Sequence, residues 1–424
     1  MASLILVGCS ESMADQTKET ATENEQTKEE QSDNKTGDVE FENVESIALS
    51  SAEQTVNDAL NGFSVDYFAN VSRAFDKIYP GQSDGNFAVS PISAALCMDI
   101  LANSTDNATA AAISQMMGYA DIESLNSTCQ KLMQYLPSST NGAVMALANS
   151  AWISQFINVA DSYKKSIKGL LNADVYSVNF LDAATTDAMN KWCSDNTNGL
   201  LNNVIGKVDP QTVAMLFNAL YFSGEWNTKF DKDKSVIEPF HGIAGDTDAT
   251  MMKASQNMKY AAVDDCQSLV IPFSGESMQL LLVMPDNGVN ISEFNNSLSS
   301  QKYQEILAAM DRCEVTMSMP RFEVRSSGTV GEALHAMGLP QSASLDMIGD
   351  NSKSVSVKVQ QDTYTAFDEE GGKVAAVTCA YEGTATGESV EYKKVSVDFN
   401  RPFIYMVRNT ITGSIIMAGR VCNI

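Results

Sequence analysis

Histidine is almost missing from this chain: His241 and His335 are the only two in 424 residues. His335 lies in an amphipathic helical stretch at 330–338 that ends on a glycine, and His241 follows a strand end at Phe240. Neither stands in a pattern with Ser, Cys or carboxylates that suggests a triad, and HExxH is absent. That scarcity argues against a hydrolase or a zinc enzyme. Phosphate loops of the GxGxxG or GxxxxGK[ST] kind are also missing. Basic residues are few: 28 Lys and Arg against 53 Asp and Glu give a net charge of −25. Phosphate-backbone binding is therefore not expected, and no Lys/Arg cluster marks a polyanion site. The eight cysteines form no CxxC, which argues against a metal cluster or redox motif. Cys97 and Cys193 sit in apolar helical contexts and read as small core residues. No internal repeat or Pro/Gly-rich linker interrupts residues 55–424, so that span reads as one large domain. Hydrophobic content of 44% is ample for its core.

What is present draws the eye to residues 355–378. A run that alternates like a strand, 355–367, leads into FDEEGGKVAAVT at 367–378. A polar segment rich in Gly, Thr and Glu follows at 381–394. Glycine gives the backbone freedom at such a hinge, and Val, Ala and Thr can resume a strand beyond it. The alternation continues through the hinge: Gly372, Val374, Ala376 and Thr378 share one side, Lys373, Ala375 and Val377 the other. The first set is small and uncharged. This is a loop built to become a strand, and Cys379 beyond it would be accessible.

Periodicity places helices at 56–78, from Ser90-Pro91 to about Ala102, and at 109–117, 123–135, 160–171, 183–204, 291–311 and 328–337. Strand-like runs occupy 143–154, 174–179, 213–222, 267–273, 278–285, 314–324, 355–367, 395–399, 402–408 and 414–421. Helices cluster early and strands late, which suits an α+β fold.

Six segments in order carry a resemblance to one family. They are NFAVSPIS at 86–93, MNKWCSDNTNG at 189–199, FNALYFSGEW at 217–226, SMPRF at 318–322, the hinge itself, and FNRPF at 399–403 with GRV at 419–421. Together they resemble the serpins, the fold of the serine protease inhibitors, from about residue 55 to Ile424. The resemblance implies three β-sheets, eight or nine helices, an exposed reactive-centre loop and no required disulfide. It implies an inhibitor, not an enzyme: a protease attacks the loop, forms an acyl-enzyme, and is trapped as the cleaved loop inserts into sheet A. About fifteen inserted residues would span roughly 50 Å.

Residue by residue, the hinge falls on Glu369, Glu370, Gly371, Gly372, Lys373, Val374, Ala375 and Ala376. Family members that inhibit usually carry Thr or Ser where this chain has Gly372, Glu at Lys373 and Ala from Val374 onward. Ser90, Pro91, Ser93 and Asn218 match the shutter where sheet A parts, with Gln361 where many members have histidine. Trp226 matches the breach beneath the hinge. Counting from Glu369 puts the scissile bond at Ala385-Thr386, whereas counting back from 399–403 gives a site near Glu391. Tyr381 is the runner-up. Ala385 suits an elastase-like or subtilisin-like protease, and the alternative reading is a non-inhibitory serpin with a binding or chaperone-like role. The expected partner is a serine or cysteine protease held covalently by a monomer. No cofactor, metal, nucleic acid or glycosaminoglycan is expected.

The N-terminus reads separately. Residues 1–9 are apolar and too short to span a bilayer. LVGC at 6–9 resembles the lipobox of bacterial lipoproteins, with Cys9 as the lipidated residue, though the basic n-region of a signal is missing. Residues 10–45 hold twelve acidic residues, three basic ones and a single aromatic, Phe41. The sequence therefore reads as a signal remnant at 1–9, a disordered acidic tether at 10–52 and the folded domain at 53–424. Lipid attachment at Cys9 would be the only membrane contact, at a bacterial outer membrane or cell surface.

Overall fold

Apolar residues at helical spacing open the folded domain. Ser51–Arg73 carries Phe68 and Val71 into the core, and Phe75–Ile78 adds one turn after a break at Ala74. The computed structural model describes residues 3–11, 51–140, 143–199, 204–209, 211–275, 277–349, 354–372 and 392–424. Ser90 caps the helix Pro91–Ala102, its hydroxyl accepting from the Ser93 N–H at 3.2 Å, and Pro91 presets the first turn. Every residue of that helix is buried. A helix apolar on all sides belongs in a core, and this one packs behind the main sheet.

Ten α-helices occur among the described residues, against the expected eight or nine. The excess comes from splitting. The stretch expected as one helix at 291–311 is two, Ile291–Ser297 and Ser300–Ala308, because Ser299 leaves helical geometry and caps the second through the Lys302 N–H. The helix expected at 183–204 stops at Asn196, where Asn198 and Gly199 turn to positive φ.

Sheet A runs in the order Phe322–Thr329, Ser354–Phe367, Ser3–Glu11, Thr212–Glu225, Ala143–Ser154, Ser138–Thr140. Asp174–Val178, Ser342–Ser344 and Gly371–Gly372 also pair into sheet A, and the other strands form two more sheets that share the nineteen-residue strand Gly245–Val263. Its residues 251–260 pair with Asp311–Pro320 and its residues 259–263 with Cys266–Pro272. Thr212–Glu225 is buried along nearly its whole length, as a central strand covered on both faces must be. On one face lies the main core. On the other, helix Ala183–Asn196 sets Met189 and Cys193 against Trp152, Met215 and Phe217. The expected α+β class with three sheets is what the chain adopts.

The N-terminus departs most from the sequence reading. Residues 3–9 fall in the expected signal remnant and residues 10–11 in the expected tether, yet Ser3–Glu11 forms a strand inside sheet A. It runs parallel to both neighbours, from Ser3 beside Thr212 and Ser356 to Glu11 beside Tyr221 and Tyr364. An apolar, β-prone segment and two facing strand edges satisfy one another. The helix that follows starts at Ser51, two residues ahead of the expected domain edge.

Candidate functional site

Past Phe367 the chain turns back on itself. The Asp368 N–H donates to the Gly371 carbonyl at 3.0 Å, and the Gly371 N–H returns a bond to the Asp368 carbonyl at 3.3 Å. Gly371 sits at φ 144°, where a Cβ would lie 2.2 Å from the Gly224 oxygen. Only glycine fits that approach. Gly371 and Gly372 then pair antiparallel with Glu225 and Gly224, so the chain has begun to re-enter sheet A. Lys373, Val374, Ala375 and Ala376 lie outside the described residues, as do Tyr381, Ala385 and Thr386.

Trp226 underlies this turn. Its indole N–H donates to the Asp368 carbonyl at 2.7 Å, and its backbone N–H to the Glu370 carbonyl at 3.0 Å. The ring stacks on Phe273 at 4.7 Å and on Phe367 at 5.9 Å. The matched breach position thus holds the hinge directly.

The two glutamates are clamped. Glu369 has a side chain 1% exposed and accepts from Arg321 at 2.8 Å and from the Ser235 hydroxyl at 2.7 Å. Burial pushes its carboxyl up, but the Arg321 and Ser235 bonds outweigh it and hold it below the usual range. Glu370 bridges Lys229 at 2.8 Å and Lys232 at 2.9 Å. Those two ammonium groups bring its carboxyl down to about 2. Sequence reasoning quoted Arg321 within a motif but gave it no role, and it missed Ser235, Lys229 and Lys232. The available signal was an acidic pair in a strongly acidic chain, which calls for cations from elsewhere in the fold; the lysines just past Trp226 supply them.

Halfway down the sheet lies the second matched cluster. Gln361 and Ser90 bond reciprocally: the Ser90 N–H donates to Oε1 at 3.0 Å, and the amide NH₂ donates to the Ser90 carbonyl at 2.9 Å. The Tyr67 hydroxyl adds a third bond to Oε1 at 3.1 Å, while the Ser90 hydroxyl reaches Ser93 and the Ile416 carbonyl. Pro91 begins the helix alongside. Asn218 is not joined to this group. Its NH₂ donates to Asn149 at 2.9 Å, and its buried Oδ1 has no partner among the described residues. The separation has a cause: Gly8 of the N-terminal strand lies in register between Asn218 and Gln361. Cys9 pairs one step on, opposite Ala219 and Asp362.

The His335 ring bonds the Leu339 carbonyl at 2.8 Å, and exposed His241 bonds Asp246 at 2.9 Å. No cluster of three or more His, Cys, Asp or Glu suited to a metal occurs among the described residues.

The family model described as serpin (serine protease inhibitor) matches residues 58–424. Leukocyte elastase inhibitor of Homo sapiens is 26% identical over 385 residues, 87% of this chain and 99% of the relative. Iripin-1 of Ixodes ricinus is 25% identical over 359 residues, 81% of this chain and 90% of that protein. Among solved structures, the thermophilic serpin tengpin in its native state superposes with a TM-score of 0.76 at 25% identity, covering 90% of this chain and 96% of tengpin.

Proposed function

The chain belongs to the serpin family of serine protease inhibitors, and from that premise we propose that it is a suicide-substrate inhibitor whose loop traps an elastase-like or subtilisin-like protease. The observation that carries this reading is the start of an antiparallel ladder at Gly371 and Gly372. Continued one residue for one, that register brings Thr384 opposite Thr212, the first residue of the partner strand. Ala385 is the next residue. A loop cut after Ala385 is therefore just long enough to fill the ladder, which favours the Ala385-Thr386 bond over a site near Glu391 or at Tyr381.

The chemistry is acyl transfer. The protease serine attacks the Ala385 carbonyl, an ester forms, and the peptide bond breaks with the new amine leaving on Thr386. New ladder bonds and buried area then favour insertion before water can release the ester. Incubation with elastase and subtilisin should give an SDS-resistant one-to-one complex and a released peptide beginning at Thr386. A peptide beginning at Glu382 would move the bond to Tyr381.

One observation favours the alternative of a non-inhibitory serpin: the interval of sheet A that the loop would enter holds residues 3–11. Cleavage without any trapped band, by the full chain and by a form lacking residues 1–8, would decide for that alternative. Attachment of lipid to Cys9 at a bacterial cell surface belongs to the same proposal, and intact mass after expression behind a complete signal tests it.

A further inference from the structure

We infer that residues 3–11 are a built-in plug of sheet A, occupying the loop's own place and holding the inhibitor shut until they leave. The inference rests on the inhibitory reading above for its consequence, and on backbone pairing for its substance. Ser3–Glu11 is bonded along its full length to Ser354–Phe367 on one side and Thr212–Glu225 on the other. The hinge enters the same interval from the opposite end. Gly372 pairs with Gly224 and Glu11 with Tyr221, so only Phe222 and Ser223 lie between the two segments along that strand. In the register set by Gly371 and Gly372, Ala375 would fall opposite Tyr221, which Glu11 holds. Insertion stops within two residues of where it has begun.

Three further features fit a plug made to be displaced. The strand is parallel to both neighbours, whereas the loop would enter antiparallel to Thr212–Glu225, the slightly stronger pairing per residue. Thirty-nine residues of sequence separate it from the helix that opens at Ser51, so chain connectivity alone adds little to its hold. Gly8 stands between Asn218 and Gln361, and the Asn218 Oδ1 is left buried without a partner among the described residues. The shutter is thus split while the plug is in place, and an unmet acceptor favours whatever can satisfy it. Any event that removes Ser3–Gly8 leaves three ladder residues of the nine and opens the slot. Cleavage ahead of Cys9, which lipid attachment there requires, is one such event.

The test compares the full chain with a form lacking residues 1–8 and with Leu6→Pro, which removes a ladder donor while keeping the segment. Two readouts separate this inference from the inhibitory reading. Hydrogen exchange on the uncleaved proteins reports occupancy alone: amides of Thr212–Glu225 and Ser354–Phe367 should be protected in the full chain and lose protection in both variants. A synthetic peptide of residues 3–11 added to the truncated form should restore it. Complex formation with elastase reports the consequence, and truncation should speed it by at least about tenfold, near 1.4 kcal/mol of barrier. Equal exchange protection in all three proteins overturns the plug, whatever the protease result. Equal trapping rates with altered exchange also overturn it as a restraint. Altered exchange with no trapping by any form would sustain the plug and overturn the inhibitory reading instead.

Discussion

Gly371 and Gly372 are neighbours with opposite tolerances. At Gly371 the φ of 144° and the 2.2 Å approach to the Gly224 oxygen leave no room for a side chain. Gly371→Ala should cost on the order of 1–3 kcal/mol and unpair the hinge from Glu225, seen as a lower melting temperature and faster cutting of the loop. At Gly372 an added Cβ meets Phe367 at 3.6 Å, an ordinary contact. Gly372→Ala should be neutral or stabilising by up to about 1 kcal/mol, because it stiffens the unfolded chain. Gly372→Arg is different. The position is buried, so a guanidinium there would have to be taken out of water unpaired. That variant should be cut by elastase and trap none of it; undiminished trapping would show that insertion does not depend on a small, uncharged residue here. The need for glycine at 371 could not be read from the sequence, since two adjacent glycines look alike until one backbone approaches another.

At the level of elements, the hinge is fixed by charge to the segment after Thr212–Glu225. The carboxyl of Glu370 falls from an ordinary 4.5 to about 2 in the folded protein. A depressed acid contributes stability that is complete above pH 4.5 and is lost as the pH falls toward 2. Hinge opening, followed through the fluorescence of Trp226 stacked beneath it, should therefore begin below about pH 4.5. Lys229→Ala with Lys232→Ala should remove that acid limb, and an identical titration in the double variant would show the bridges contribute nothing. Arg321→Ala should weaken the clamp by about 1–2 kcal/mol, less than a fully buried pair because Arg321 is half exposed.

Elements also differ in how plainly the sequence announced them. Ala143–Ser154 and Met278–Pro285 fall where their apolar runs put them. Gly245–Val263 did not show itself: its residues are largely Asp, Lys, Met and Ala, poor strand formers held by pairing with the adjacent strands Val236–Gly242 and Cys266–Pro272 and with the distant Asp311–Pro320. Of the positions matched by motif, Trp226 meets the hinge and Ser90 and Gln361 meet one another, whereas Asn218 bonds Asn149 instead. Arg321 and Ser235 were not, because a clamp between residues so far apart leaves no periodic trace.

For the whole molecule, the arrangement of sheet A predicts a gain in stability on being cut. After cleavage in the loop of the form lacking residues 1–8, the twelve backbone positions at 212–223 would gain an antiparallel partner on the loop's side, in addition to Gly224 and Glu225, which Gly372 and Gly371 already pair. Heating should then show a large rise in melting temperature. An unchanged transition after a confirmed cut between residues 379 and 392 would contradict insertion. The full chain, cut at the same place, should rise later and only as residues 3–11 are expelled.

Six cysteines described in the fold are buried and in no disulfide. Burial pushes Cys97 up to about 12 and Cys266 and Cys422 up to about 11, so they hold their protons and resist alkylation while the fold is intact. Two of them lie on opposite sides of sheet A: Cys97 on the core helix Pro91–Ala102, and Cys193 on the covering helix Ala183–Asn196. The protein thereby carries two internal clocks. A reagent that finds Cys193 before Cys97 times the lifting of the outer helix against a closed interior, and one that finds both together records the collapse of the whole.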